Sequence, residues 1–274
     1  MPIPGPGTAI SMTTIATEFG GTVPHSLSEY YRGGGLVPNT PTNAAIPTSG
    51  TIAIGNFYGA ANRNTVNLTI AANTTNYDVY TNRGPAYVAG STDLVVTVNP
   101  GVIVGSATTG TYAMLVPSAF SPTDTVTIVN NNVIQGRGGN GGAGGPALSP
   151  AIGAPGGVGG NAIYVNRPTT ITNNGTVAGG GGGGGGGGPP TNKVAGGPGG
   201  GGAGFPGGAP NGTSAAGGAG IAPGGGPGGG RGAAGSAGAA GRGVGGSGGG
   251  AGNYIVGNPF TTWPVTGTRQ GGVA

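Results

Sequence analysis

The stretch GGGGGGGGGGPP, Gly179 to Pro190, consists of ten consecutive glycines followed by two prolines. Ordering a residue costs roughly 1–2 kcal/mol of backbone entropy, and glycine loses the most freedom while having no side chain to bury in return. Such a run is therefore either unfolded or part of a fold that requires side chains to be absent. The composition and the flanking residues favour the second explanation.

Glycine and proline dominate the chain, with 72 and 24 of the 274 residues. A content this high usually marks a low-complexity or disordered protein. Only 5% of the residues are charged, however, and the mean hydropathy is +0.03. Disordered chains combine high net charge with low hydrophobicity, so this composition favours an ordered glycine-rich structure.

Two similar stretches lead into glycine. TIVNNNVIQG (127–136) and TITNNGTVAG (170–179) lie 43 residues apart, and each has a β-branched strand, an asparagine pair and a second short strand before the glycine. Asparagine tolerates the left-handed conformations of tight turns. We interpret each copy as a hairpin that feeds the chain into the same glycine-rich layer, residues 136–252, which holds 53 of the 72 glycines.

Collagen is the first candidate for that layer, and it requires glycine at every third position. The frame of Gly232, Gly235, Gly238 and Gly241 is broken by Val244. The alternative is a bundle of polyglycine II helices, in which backbones lie close enough to hydrogen-bond because side chains do not separate them. Ten residues at ~3.1 Å each span about 31 Å, which suits one central helix of such a sandwich.

The rest of the chain is predicted to be mostly β and irregular. Residues 61–135 contain short strands rich in Val, Ile, Thr and Tyr and predict a small antiparallel sandwich or barrel-like unit. Residues 253–274 are predicted to be closing strands. Residues 1–60 form a small module in which Ser26 to Glu29 fits a capping box and predicts one helical turn over Leu27–Arg32.

Several function classes find no support in the sequence. There is no cysteine, no apolar run of about 20 residues and no visible secretory signal, which predicts no thiolate site and no membrane insertion. His25 has no grouped metal ligands, the five acidic residues are dispersed, and Lys193 is followed by Val194 rather than by the Ser or Thr of a phosphate loop. We therefore expect no metal, no cofactor and no enzymatic activity.

The charges are unevenly placed. The five acidic residues lie before residue 125, where three arginines leave a net charge of −2, and the remainder carries six cations. A cationic half suits an anionic cell surface or a nucleic acid. Arg137-Gly138-Gly139 is a lone RGG, however, and aromatic residues for base stacking are sparse, so we expect no nucleic-acid partner.

The carboxy-terminal half resembles the glycine-rich distal adhesins of bacteriophage tail fibres. The residues that carry the resemblance are the asparagine-turn strands that enter glycine at 127–145 and 170–188, and the closing YIVGNPFTTWPVTGTRQGG. The amino-terminal TEFGG…SLSEYYRGGG…IPTSGTIAIGNFYGA looks like a short module of tailed-phage virion proteins, and it differs from the attachment domain of the best-known adhesins of this type. The resemblance implies polyglycine II sandwiches and a place in the virion, on the tail or tail fibre.

We therefore predict a non-enzymatic adhesin that binds a bacterial outer-surface receptor, a protein or a polysaccharide, through loops of a glycine sandwich. Residues 1–60 are expected to attach it to other phage tail proteins through Phe19, Tyr30, Tyr31, Arg32, Phe57 and Tyr58. The apolar residues of this module also suit a small cluster of their own, and for Tyr30, Tyr31 and Arg32 a docking role and a core role are left open. Receptor contacts are expected from residues in or beside breaks in the glycine tracts, namely Lys193, Phe205 and Arg231, for which filling of the loops is the alternative role. The alternatives are a head or tail decoration protein without a receptor and an ice-binding polyglycine II protein.

Overall fold

The computed structural model describes residues 2–147, 152–190 and 194–274. Its contacts divide the chain into two units: residues 1–68, 83–95 and 120–126 form the first, and residues 69–82, 96–119 and 127–274 form the second. The described residues contain one α-helix, α1 (Met12–Phe19), and short 3₁₀ turns at Leu27–Tyr30, Pro41–Asn43, Ile54–Phe57 and Asn258–Phe260. None of the described helices has the length and apolarity needed to cross a bilayer.

The amino-terminal module has its own apolar core. Tyr30 and Phe57 are fully buried, and their rings meet edge to face with centroids 6.3 Å apart. Phe19 packs on Phe57 in the same way, and Ile15 and Ile46 complete the centre of the core. Phe19, Tyr30 and Phe57 therefore form part of the hydrophobic core of this module.

The helical turn predicted over Leu27–Arg32 is shorter in the structure. It is a 3₁₀ turn that ends at Tyr30, because Tyr31 has extended backbone angles, and Ser26 caps it by accepting a hydrogen bond from the amide of Ser28. The sequence prediction missed α1, which begins at a capping box of Ser11 and Thr14. A threonine in place of the usual Glu or Gln hides that signal.

The described strands are short. They are β1 (Asn64–Ile70), β2 (Thr74–Thr75), β3 (Tyr77–Asp78), β4 (Thr92–Val98), β5 (Ile103–Gly105), β6 (Met114–Val116), β7 (Thr125–Asn130), β8 (Val133–Gln135), β9 (Ile163–Val165), β10 (Thr169–Asn173), β11 (Thr176–Ala178), β12 (Asn253–Val256), β13 (Thr261–Val265), β14 (Thr268–Gln270) and β15 (Gly272–Val273).

These strands form three parallel sheets within the described residues. The first sheet has the order β1-β4-β7-β10-β13, the second β2-β5-β8-β11-β14 and the third β3-β6-β9-β12-β15. Each sheet takes every third strand, so the chain winds through five coils of a parallel β-helix. Its interior is filled by fully buried apolar side chains, among them Val96, Val104, Met114, Ile128, Ile134, Ile163, Ile171, Val177 and Ile255.

The predicted antiparallel sandwich for residues 61–135 is therefore wrong, although the prediction of β structure is confirmed. Short strands separated by Asn, Gly and Pro look alike in either arrangement. Their direction depends on whether the next strand pairs with the previous one or moves to the next sheet, which local composition does not encode. The strand pairing also continues beyond residue 135, through β9 to β15.

The 43-residue sequence repeat is two neighbouring coils. Thr170 pairs with Thr127 and Asn173 with Asn130 in the first sheet, and Ala178 pairs with Gln135 in the second. Each asparagine pair thus turns a corner between two sheets, and the predicted hairpins are wrong. At the corner, the Asn130 side-chain amide donates to Asn173 Oδ1 over 2.8 Å, and the Asn173 amide donates to the Thr266 carbonyl over 2.8 Å.

The hydrogen bonds from Asn130 to Asn173 and from Asn173 to Thr266 form a ladder that links adjacent coils. Replacing Asn173, the buried asparagine in the middle of this ladder, is expected to destabilise the β-helix. Asn173→Ala removes one acceptor of the fully buried Asn130 amide and the donor to the Thr266 and Thr268 carbonyls. A buried polar group that loses its partner costs roughly 1–3 kcal/mol. Asn174→Ala is the matched control, because Asn174 makes the same kind of contact with Asn131 on the surface. Chemical unfolding should show a large decrease in the free energy of unfolding for Asn173→Ala and a change within about 0.5 kcal/mol for the control. Equal losses would contradict the ladder.

Two glycine-rich segments interrupt the coils. Residues 136–162 lie between β8 and β9, and residues 179–252 lie between β11 and β12. The run Gly179–Gly188 follows β11 directly, and its amides donate in a three-residue period to three neighbouring stretches of chain. Gly180, Gly183 and Gly186 donate to Gly160, Gly157 and Ala154; Gly181, Gly184 and Gly187 to Ala203, Gly200 and Gly197; Gly182, Gly185 and Gly188 to Ala233, Ser236 and Ala239.

The carbonyls of the same run accept with the same period from three further stretches. The donors are Gly139, Gly142 and Gly145; Gly226, Gly229 and Gly232; and Gly246, Gly249 and Gly252. The run is therefore surrounded by six hydrogen-bonded neighbours. A Cβ placed at any of its ten positions would lie 1.9 to 2.6 Å from a backbone atom of a neighbour, closer than real Cβ contacts.

Candidate functional site

The glycine-rich segments turn back at the end away from the strands. The described residues place four groups there, which we call the distal turns: 146–147 with 152, 189–190 with 194–195, 221–224, and 241–244; residues 148–151 and 191–193 are outside the described residues. Backbone hydrogen bonds tie these turns together. Arg242 N donates to the Pro189 carbonyl over 2.8 Å, Gly197 N to Pro223 over 2.6 Å and Gly153 N to Val244 over 2.9 Å.

Each distal turn exposes a large aliphatic side chain. Ile152 is 66% exposed, Val244 64%, Val194 45% and Ile221 43%. The exposed Arg242 adds a positive charge in the fourth turn. Apolar side chains grouped on an exposed surface and mixed with polar residues mark interaction sites, and an ordered scaffold reduces the entropy lost on binding.

The sequence prediction missed these four aliphatic residues. In the sequence they are single Ile and Val residues among Gly, Ala and Pro, and nothing nearby distinguishes a turn at one end of the bundle from a turn at the other. The available signal was their position: each lies where a glycine tract stops and a second tract begins.

Two of the three predicted receptor residues, Phe205 and Arg231, lie within the described part of the chain, at the end of the glycine-rich segments opposite the distal turns. Phe205 is at the strand end of the glycine-rich segments: its amide donates to the Gly136 carbonyl over 3.2 Å and its carbonyl accepts from Ser106 N over 3.0 Å. Arg231 lies at the same end, because the amide of the next residue donates to the Gly179 carbonyl. Lys193 lies outside the described residues.

The side chains of Phe205 and Arg231, which were predicted to contact the receptor, contact other parts of this chain. The Phe205 ring covers Gly105 of β5, where a Cβ would lie 2.4 Å from Phe205 Cδ1. The Arg231 Nε donates to the Ser214 carbonyl over 2.7 Å, and burial lowers the pKa of its guanidinium. Both side chains are half-buried.

The predicted docking residues of the amino-terminal module fall into two groups. Phe19, Tyr30 and Phe57 are at most 5% exposed and belong to the core, so their side chains offer no surface to a partner. Tyr31, Arg32 and Tyr58 are half-buried and reach the surface. Tyr31 donates to the Gly50 carbonyl, and Arg32 Nε donates to the Ile46 carbonyl over 3.2 Å.

The titratable residues of the first unit serve its structure. His25 Nδ1 lies 3.1 Å from the Tyr30 hydroxyl, which also donates to the Gly20 carbonyl. Asp93 pairs with Arg63 over 2.8 Å, and Asp124 accepts from the Tyr87 hydroxyl over 2.6 Å. Among the described residues no group of three or more His, Asp or Glu is placed to hold a metal ion.

The chain matches known proteins in family and in fold. The model of the phage tail fibre adhesin Gp38 family matches residues 65–274. A chain in the crystal structure of the gp37–gp38 adhesin tip complex of the bacteriophage S16 long tail fibre has the same fold, with a TM-score of 0.54 and 24% identity over 99% of this chain and 100% of that one. No curated protein sequence matches the chain. The family match covers more than half of the sequence, and the chain therefore belongs to the Gp38 family of phage tail fibre adhesins, which are located on the tail fibre of the virion.

Proposed function

We propose that this protein is the receptor-binding adhesin of a phage tail fibre and that it recognises a bacterial outer-surface molecule through the distal turns. The observation that carries the proposal is the set of exposed aliphatic side chains, one in each turn, at one end of a hydrogen-bonded scaffold. Recognition residues commonly lie on loops held by a rigid framework. The receptor is a protein or a polysaccharide.

We infer that the scaffold is a sandwich of polyglycine II helices. The period of three in the donors and acceptors of Gly179–Gly188 supports this geometry, because a polyproline-II-like helix has three residues per turn and no internal hydrogen bonds. Six neighbours around one run are what such helices need if every backbone group is to be paired. The scaffold then holds the distal turns in fixed relative positions.

We further propose that residues 1–60 attach the adhesin to another tail protein. The solved relative is a complex of gp38 with gp37 of the same long tail fibre, which supports a fibre protein as the partner here. Within this module the half-buried Tyr31, Arg32 and Tyr58 carry the docking hypothesis. Tyr and Arg are common anchors of protein interfaces.

The function is tested by placing charge on the distal turns. Ile152→Asp combined with Val244→Asp should abolish binding of the purified protein to host cells and its ability to block infection, because a desolvated carboxylate opposes an apolar contact. Val265→Asp with Val273→Asp is the matched control, since these valines are 43% and 53% exposed on β13 and β15.

Thermal melting should show that both double variants fold, since all four side chains are exposed. Retained host binding by the distal-turn variant would move the receptor site elsewhere. Failure of the unchanged protein to bind host cells or to block infection would favour a decoration protein without a receptor, and would overturn the proposed function.

A further inference from the structure

A cleft lies on the flank of the glycine-rich segments, apart from the distal turns. It encloses about 390 Å³ and is lined by Ala107, Thr108 and Thr109 on one side, by Arg137, Gly138 and Asn140 on the other, and by Gly157 and Val158. This volume lies within the range of small-molecule sites. Arg137 is the one charged residue among these lining residues, and none of them is acidic.

The two polar side chains of the cleft are displayed by the backbone pairing. Arg137 and Asn140 are three residues apart, and their carbonyls accept from Gly160 and Gly157 over 2.7 Å each. A period of three places their side chains on one face, while Gly138 and Gly139 approach neighbouring backbones too closely for a Cβ. Arginine and asparagine thus occupy positions where side chains fit.

The cleft offers hydrogen-bond donors. Arg137 Nη1 donates to the Ala107 carbonyl over 2.7 Å, which orients the guanidinium, and this is its one side-chain hydrogen bond within the described part of the chain. Asn140 Oδ1 accepts from Ala209 N over 2.9 Å, so its amide nitrogen remains a donor toward the cleft. An oriented guanidinium with a free edge suits a carboxylate or phosphate.

The loop that forms one wall is held in place. Ser106 is fully buried, and its hydroxyl lies 2.8 Å from the Thr111 carbonyl and 2.9 Å from Thr111 Oγ1. The Ser106 amide donates to the Phe205 carbonyl over 3.0 Å. A wall that is already ordered loses little entropy when a ligand binds.

The same loop borders a second, smaller cavity with an aromatic wall. This cavity of about 230 Å³ is lined by Asn76, Asp78, Gly110, Thr111, Tyr112 and Leu115. The half-buried Tyr112 ring lies against Tyr164, with centroids 4.9 Å apart. An apolar ring beside amide and carboxylate groups fits the apolar face and the hydroxyls of a sugar, which a bare anion lacks.

We propose that this flank of the adhesin binds an acidic saccharide. The carboxylate or phosphate of the sugar is held by Arg137 with Asn140, and the ring of the same sugar packs on Tyr112. Saccharides of this class are bound independently of the distal turns, so the site exists whether or not the receptor contacts proposed above are correct.

The test measures binding of glucuronate, glucose 6-phosphate, glucose and inorganic phosphate to the full chain by isothermal titration calorimetry. The two acidic sugars should bind more tightly than glucose and inorganic phosphate. Arg137→Gln should weaken both by at least tenfold, while Arg269→Gln, a change of the same type at an exposed position of β14, leaves them unchanged. Tyr112→Ala should weaken the acidic sugars and leave inorganic phosphate unaffected.

Thr109→Glu is a second variant that keeps the Arg137 contact with Ala107, and it should abolish binding of the acidic sugars by repulsion. Thermal melting checks that each variant is folded. Absence of acidic-sugar binding, equal losses in Arg137→Gln and Arg269→Gln, or unchanged binding in Thr109→Glu would overturn the site. Inorganic phosphate binding as tightly as glucose 6-phosphate would overturn its assignment to a saccharide.

Discussion

Replacing Gly183 and Gly184 together with alanine is expected to unfold the glycine-rich segments. A Cβ at Gly183 would lie 1.9 Å from the Asn140 carbonyl oxygen, and a Cβ at Gly184 would lie 2.0 Å from that of Gly226. Both obstacles are backbone atoms of hydrogen-bonded neighbours, so neither can move like the end of a flexible side chain. Overpacking at one buried site costs roughly 1–3 kcal/mol, and two such sites place the loss at several kcal/mol.

The matched control is Gly230→Ala with Gly250→Ala. A Cβ at Gly230 meets nothing within 4 Å, and one at Gly250 meets only Val158 Cγ1 at 3.9 Å. At such positions an alanine stabilises the protein by about 0.4–1 kcal/mol each, because it reduces the conformational entropy of the unfolded chain. Calorimetry should therefore show a lower melting temperature for the Gly183/Gly184 variant and a higher one for the control than for the unchanged protein. A soluble Gly183/Gly184 variant with unchanged melting would mean that the run is a flexible linker.

Hydrogen exchange gives a second measurement for the same prediction. The amides of Gly179–Gly188 are all paired with carbonyls of other stretches, so they should exchange slowly in the unchanged protein and fast in the Gly183/Gly184 variant. Exchange at random-coil rates in the unchanged protein would contradict the packing itself.

The central position of the ten-glycine run could be predicted from the sequence because a Cβ is excluded at every successive residue only where neighbours approach from every side. Outer stretches such as 233–239 tolerate Ala and Ser, and the sequence shows them there. The 43-residue repeat was equally informative, since the same spacing separates Asn130 from Asn173 in the stacked coils.

The parallel direction of the strands and the ends of the glycine bundle could not be predicted. Both depend on contacts between residues far apart in sequence, such as Asn173 with Thr266 and Phe205 with Ser106. Phe205 is an aromatic residue in a break of the glycine tracts, which made it a candidate for recognition. The turn at this break lies next to β5, where the ring covers Gly105. The sequence could not decide whether Phe19, Tyr30 and Phe57 are docking anchors or core residues, because an aromatic anchor and an aromatic core residue have the same local sequence pattern.

Exchanging the two glycine-rich segments for those of another Gp38 adhesin is expected to change the bacteria that the phage infects. The exchange replaces residues 136–162 and 179–252 and keeps α1, the amino-terminal module and all fifteen described strands. Under the proposed function these segments carry all four distal turns, whereas the retained residues 1–60 attach the protein to the fibre. The hybrid should therefore assemble on particles at the usual level.

The measurement is plating of hybrid phage on the host of the donor and on the original host. Efficiency of plating should rise on the former and fall on the latter by orders of magnitude, because each tenfold in affinity corresponds to only about 1.4 kcal/mol and four turns change together. The reciprocal hybrid, with residues 1–60 exchanged and both glycine-rich segments retained, is the control and should keep the original host. Host preference that follows residues 1–60 would reverse the roles, because the half-buried Tyr31, Arg32 and Tyr58 would then contact the bacterium while the exposed aliphatic residues of the distal turns would face the particle.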